Sequence, residues 1–104
     1  MNASPDLDPR LQTRVTELFG VDYPIVQTGM GWVAGPSLVT GTANAGGLGI
    51  LAAATMTFEE MVAAIAEVKS RTDKPFGVNM RTDAADVEDR VDHLIKEKVK
   101  VASF

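Results

Sequence analysis

The stretch from Leu48 to Met80 reads LGILAAATMTFEEMVAAIAEVKSRTDKPFGVNM, and its grammar decides the fold. It opens with the apolar run Leu48-Gly49-Ile50-Leu51-Ala52, too short for a helix of normal length and apolar at every position. A strand reads that way when both of its faces are buried, as in a parallel sheet. Thr57 with Glu60 three residues later is a capping box, in which each side chain satisfies a backbone N–H of the first helical turn. Phe58, Met61, Val62, Ile65 and Val68 then recur at helical spacing, which is a core-facing stripe. Thr72-Asp73-Lys74-Pro75 ends the helix, and Phe76-Gly77-Val78-Asn79-Met80 is again an apolar strand. Strand, helix, strand in so few residues makes a βαβ unit, whose crossover returns the chain to the same end of the sheet and pairs the strands in parallel.

The unit repeats in both directions. Upstream, Pro24-Ile25-Val26-Gln27-Thr28-Gly29 reads as a strand running into the loop Gly29-Met30-Gly31-Trp32. Gly35-Pro36-Ser37 starts a helix reaching about Asn44, which Ala45-Gly46-Gly47 ends. Downstream, Asp83 to Lys98 is expected to be helical with Val87, Val91, Leu94 and Ile95 inward, and Val99 to Phe104 begins a fourth strand. Ahead of all this, Met1 to Leu7 reads as a loose polar tail. Residues 8 to 19 form a lead-in helix, with Asp8 as N-cap, Pro9 at its first position, Leu11, Val15, Leu18 and Phe19 on one face, and Gly20 as its stop. Strand starts fall near residues 25, 49, 76 and 100, a spacing of about 25 residues, with a helix in each gap. This α/β pattern suits a doubly wound sheet and a (βα)8 TIM barrel equally well. A barrel takes about 250 residues, so 104 residues read as the N-terminal portion of one such domain. A parallel sheet ending there has an open apolar edge, and the expectation is a fragment or the ordered part of a larger chain.

Composition removes several function classes. Hydrophobic residues make up 45% of the chain, charged residues 23%, and the net charge is −4. Cations are scattered rather than clustered, which argues against nucleic acid and against an anionic membrane surface. With no cysteine, disulfides, thiolate metal sites and cysteine nucleophiles drop out. No metal-ligand cluster is legible, nor a Ser-His-Asp set. The most apolar stretch, Thr42 to Met56, carries three glycines and is shorter than a membrane span. The N-terminus has no basic segment followed by an apolar one, so it does not read as a signal peptide, and the expected compartment is the cytoplasm.

Parallel βα folds bind ligands beyond the C-terminal ends of their strands. Three segments qualify: Gln27 to Gly31, Ala52 to Thr55, and Asn79 to Arg81. Gly29 and Gly31 flank Met30, so backbone there can come close to a flat ligand and offer its N–H and C=O groups; it is equally readable as a turn over a buried Met. Asn79 sets an amide at the end of an apolar strand, where it either meets a ligand with mixed polar edges or caps its own loop. Gln27 is a weaker candidate of the same kind, able to satisfy itself inside the barrel. Trp32 could line an entrance or plug the barrel mouth. The glycines of Ala43 to Gly49 are not a phosphate loop, because they follow a helix and precede a strand, the reverse of a dinucleotide fingerprint. His93 reads as a surface residue in mid-helix.

Three blocks carry a resemblance. Pro24 to Met30, Asn44 to Gly49 and Asp73 to Asn79 resemble the first-strand, internal and third-strand motifs of the nitronate monooxygenase (2-nitropropane dioxygenase) family, in order and at matching separations over about residues 10 to 104. The resemblance implies an FMN-binding (βα)8 barrel and an oxidoreductase. It either oxidises a nitronate with oxygen or reduces an acyl-CoA or enoyl thioester with NAD(P)H, and homodimer formation is left open. It places Gly29, Met30 and Gly31 beside the flavin ring, with Asn79 hydrogen-bonded to the cofactor; Gln27 joins them as a cofactor-binding candidate only on its strand-end position. The family's histidine and phosphate loops are expected beyond residue 104, so the catalytic residue is unknown from this chain. The run Gly29 to Ala34 looks closer to the family's FMN-dependent enoyl-acyl-carrier-protein reductases than to its nitronate oxidisers. Gly31 to Phe104 is similar to an actinobacterial acyl-CoA reductase of steroid-ring catabolism. Two competing classes are a flavin-free phosphate-binding barrel lyase or isomerase and a truncated βα module without catalysis.

Overall fold

The computed structural model describes residues 6 to 104; the tail expected at Met1 to Leu7 lies, up to Pro5, outside the described residues. Four strands, β1 (Val26–Gln27), β2 (Leu48–Ala52), β3 (Phe76–Asn79) and β4 (Val101–Ser103), alternate with α1 (Arg14–Phe19), α2 (Pro36–Ala45), α3 (Phe58–Arg71) and α4 (Val87–Lys96). All strand pairs are parallel, in the order β1-β2-β3-β4, with Val26 opposite Leu48, Gly49 opposite Phe76 and Gly77 opposite Val101.

That order separates the two folds the sequence leaves open. A doubly wound sheet reverses its strand order and carries helices on both faces, whereas a barrel adds strands in sequence and keeps its helices outside. Here Val39 of α2, Met61, Ile65 and Val68 of α3 and Leu94 of α4 share one cluster with Leu51, Phe76 and Val78. The opposite sheet face holds Leu48 and Ile50, covered by Val21, Phe19 and Val101. Three helices on one face of a sequentially ordered parallel sheet are the N-terminal part of a (βα)8 barrel. Leu48 and Val101 begin their strands, so Phe19 and Val21 close the N-terminal end of the inner face. Each fully buried Leu, Ile or Met in the outer cluster stabilises by about 1.5–3 kcal/mol relative to exposure.

The local chemistry of α3 follows its sequence. Glu60 N–H donates to Thr57 Oγ1 at 3.1 Å, and Thr57 N–H donates to Glu60 Oε1 at 2.8 Å. Met61, Ala64, Ile65 and Val68 are its buried face. The glycine-rich turn into β2 is structural: Gly46 caps α2 in the left-handed region, and a Cβ on Gly49 would stand 2.6 Å from the Val39 carbonyl oxygen. Helix α2 can therefore lie directly on β2.

Several expectations are corrected. The lead-in helix is two pieces, a 3-10 turn at Pro9–Leu11 and then α1, because Thr13 caps a new start with Thr16 as its partner. Its inward residue is Thr16, while Leu11, Val15 and Leu18 are exposed. Helix α4 begins at Val87 rather than Asp83, because the chain first makes turns closed by Ala84 N–H to the Arg81 carbonyl and Val87 N–H to the Ala84 carbonyl. On α4 Ile95 is 69% exposed and Arg90 takes a buried place instead. A 3-10 turn at Ala53–Thr55 follows β2. Strand β1 is only two residues long, and Ile25 and Val26 are exposed rather than buried, because β1 has a neighbour on one side alone.

Candidate functional site at the strand ends

Parallel register brings the ends of β2, β3 and β4 level, and the loop after β1 folds across them. Asn79 is the last residue of β3, opposite Ala52 and Ser103. It shares its sheet face with Gly77, whose missing Cβ would touch Ile50 and Val101, so the Asn79 side chain belongs to the inner face. Its Nδ2 donates to Ser103 Oγ at 2.9 Å and lies 3.4 Å from the Ser103 carbonyl oxygen. Among the described residues nothing donates to its Oδ1, so a half-buried acceptor is left for a ligand or solvent.

Gly29 lies against that amide. A Cβ on Gly29 would stand 2.7 Å from Asn79 Cβ and 3.5 Å from Oδ1, and a Cβ on Gly31 would stand 3.0 Å from Thr55 Cγ2. Gly29 is thus required by its close approach to the end of β3, whereas a Cβ on Gly31 would press on the turn after β2 and ask the Thr55 methyl to give by a few tenths of an ångström. The backbone N–H groups of Gly29, Met30 and Gly31 donate to no acceptor among the described residues. The three strand-end segments picked from sequence therefore meet in space.

The loop then turns sharply. The Met30 carbonyl accepts from Val33 N–H at 3.0 Å and Ala34 N–H at 2.8 Å, and the Ala34 carbonyl accepts from Ala52 N–H at 3.0 Å. Ala34 is buried, while Trp32 is 90% exposed with φ of 60°. A bulky residue in the left-handed region costs on the order of 1–3 kcal/mol, sustained only where surrounding bonds fix it.

Gln27 stands apart. Its strand partner is Gly49, which abuts α2, so its side chain faces the helix layer rather than the inner face. There Nε2 donates to the Ile50 carbonyl at 3.0 Å and to the Thr28 carbonyl, and Oε1 accepts from Thr42 Oγ1 at 3.4 Å. The amide knits β1 to β2 and α2. His93 is half-buried in the helix layer, its ring edge-on to Phe58 with centroids 5.9 Å apart. Beside the mouth, Arg81 is occupied by Asp83 at 2.7–2.9 Å, and hydrogen bonding to that guanidinium holds the Asp83 carboxyl below its usual range.

Sequence reading missed two members of this assembly. Ser103 hides within a short strand fragment and is found only by register. Arg90 donates through Nε to Asp86 Oδ1 at 2.9 Å, and through its two terminal nitrogens to the carbonyls of Ala53 at 2.8 Å and Met56 at 2.7 Å. Its fork holds the turn that carries Thr55, with the guanidinium's desolvation offset by three acceptors. The available signal was the spacing of four between Asp86, at the N-cap of α4, and Arg90 within it.

A flat heteroaromatic ring with alternating donors and acceptors fits this arrangement. It needs side-chain-free backbone to lie against, unpaired N–H groups along an edge and an amide with a free acceptor, and Gly29 to Gly31 with Asn79 offer these. Among the described residues no group of three or more His, Cys, Asp or Glu gathers to hold a metal ion, and no helix is long and apolar enough to cross a membrane.

Comparison with known proteins adds four findings. The family model for nitronate monooxygenase matches residues 12–103. The (3aS,4S,5R,7aS)-5-hydroxy-7a-methyl-1-oxo-octahydro-1H-indene-4-carboxyl-CoA dehydrogenase of Mycobacterium tuberculosis is 67% identical over 95 residues, 91% of this chain and 27% of that protein. Its namesake in Rhodococcus jostii is 67% identical over 94 residues, covering 90% and 27%. FabK from Thermotoga maritima superposes with a TM-score of 0.83 at 41% identity, over 88% of this chain and 29% of that one. The chain spans about a quarter of the length of the curated relatives it matches.

Proposed function

This chain belongs to the nitronate monooxygenase family, and on that premise we propose that the protein it forms part of is an FMN-dependent oxidoreductase acting on an acyl-CoA thioester, its flavin exchanging electrons with the NAD(P)+/NAD(P)H couple. The observation that carries the flavin assignment is the packing of Gly29 on Asn79, which leaves the Asn79 Oδ1 and the N–H groups of Gly29 to Gly31 free at the mouth of the strands. FMN, when bound, supplies the hydride chemistry. The chain's own residues position it: Gly29 and Gly31 admit the ring against backbone, Met30 gives an apolar contact, and Asn79 takes a polar edge while Ser103 holds its amide in place. Gln27 contributes by fixing the loop from behind rather than by touching the cofactor. The substrate class rests on the high identity to two proteins whose names specify an indene-carboxyl-CoA. A flavin-free lyase or isomerase would need a lysine or paired carboxylates at the strand ends, where this chain has Thr55, Asn79 and Ser103. The barrel is read as one domain and the cytoplasm as its compartment.

Purification of the full-length protein tests this directly. It should be yellow and release FMN on denaturation. A colourless protein that stays colourless after incubation with FMN would overturn the assignment.

A further inference from the structure

Trp32 is the most exposed large apolar side chain among the described residues, at 90%, and one of two non-glycine residues with positive φ. The left-handed backbone is unfavourable for a tryptophan, and a strained position is kept where its geometry is used. The loop enforces it: two N–H groups converge on the Met30 carbonyl, and Ala34 anchors the far side through Ala52. Met30 and Val33, 41% and 64% exposed, stand on either side of it in the loop sequence. From Thr28 to Gly35 the loop carries no charged side chain. An uncharged wall offers little to a compact nitronate anion. It suits a hydrocarbon ring face, which gains by leaving water and by stacking on an aromatic plane.

We propose that Trp32, with Met30 and Val33 beside it, is the specificity-determining wall of the substrate mouth and takes the apolar ring portion of a fused-ring acyl thioester. This rests on the flavin reading above, because Gly29 and Gly31 of the same loop are the residues assigned to the flavin ring. Trp32 selects the acyl group and leaves the CoA moiety to other parts of the protein.

Two variants of full-length, FMN-loaded protein test it, Trp32→Gly and Trp32→Phe. Glycine adopts the left-handed conformation freely, so Trp32→Gly removes the indole while easing the backbone. Flavin absorbance is followed during titration with an octahydro-indene-carboxyl-CoA and, separately, with free CoA. In Trp32→Gly the fused-ring thioester should bind roughly tenfold or more weaker, with CoA affinity, FMN retention and melting temperature equal to wild type or better. Trp32→Phe should recover most of the loss. Unchanged affinity for the fused-ring thioester in Trp32→Gly overturns the proposal. So does a lowered melting temperature with both ligands weakened alike, which would make Trp32 a packing element under the rest of the barrel. A wild-type protein that never takes up FMN fails the flavin assignment instead; one that holds FMN yet binds the thioester no better than CoA fails the wall alone.

Discussion

Replacing Asn79 and Ser103 in turn separates a ligand-binding amide from a structural one. The Asn79 Nδ2 to Ser103 Oγ bond, 2.9 Å long and half-buried, is lost equally in Asn79→Ala and Ser103→Ala. A neutral bond of this kind contributes about 0.5–1.5 kcal/mol net, so both variants should melt lower by similar amounts, a few degrees at most. Their effects on FMN should diverge. Asn79→Ala also removes the Oδ1 that no protein donor reaches, and leaving cofactor polar atoms unpaired costs about 1–3 kcal/mol, or roughly 5- to 150-fold in affinity. Ser103→Ala keeps the amide at the mouth, and FMN affinity should stay within about threefold, an energy difference near 0.7 kcal/mol. The assay is FMN dissociation followed by flavin fluorescence, with thermal melts on the same full-length samples. Equal melting shifts with unchanged FMN dissociation in both would mean that Asn79 merely ties β3 to β4, and the cofactor role would be refuted.

Four further outcomes are expected. Gly29→Ala puts a Cβ 2.7 Å from Asn79 Cβ, which is rooted on a strand and cannot swing away; about 1–3 kcal/mol of overpacking should fall on this loop and speed FMN release, and an unchanged release rate would place the ring elsewhere. Gln27→Ala should lower stability by about 1 kcal/mol in a denaturant melt and spare FMN affinity, since its amide is spent on Ile50, Thr28 and Thr42. Arg90→Leu strips the buried Ala53 carbonyl, the half-buried Met56 carbonyl and Asp86 of their donor, and urea unfolding should show a loss of about 3 kcal/mol; a loss below about 1 kcal/mol would show that the turn at Ala53–Met56 holds without it. Residues 1 to 104 alone should aggregate or fail to retain FMN, because β1 and β4 each present a free edge and Ile25 and Phe104 are over 60% exposed; a cooperative melt with micromolar FMN affinity would contradict this.

What the sequence determined by itself is whatever depends on neighbours along the chain. The capping box at Thr57 and Glu60, the apolar run of β2, the stripe on α3 and the glycine stop after α2 are all local, with period and cap chemistry legible from a dozen residues. So was the short menu of strand-end segments, because a parallel βα chain fixes which strand ends carry ligands. What needed the tertiary structure depends on register and on which face is covered. Barrel and doubly wound sheet share one local pattern and differ only in strand order. Gln27 and Asn79 look alike as strand-end amides, yet the pleat turns one toward α2 and the other inward beside Ser103. Ile95 was expected inward and is exposed, while Arg90 is buried, because periodicity ranks apolarity and cannot see the Ala53 and Met56 carbonyls of the turn after β2. Gly29, a turn residue in one dimension, becomes the cradle of a site once the fold sets Asn79 against it.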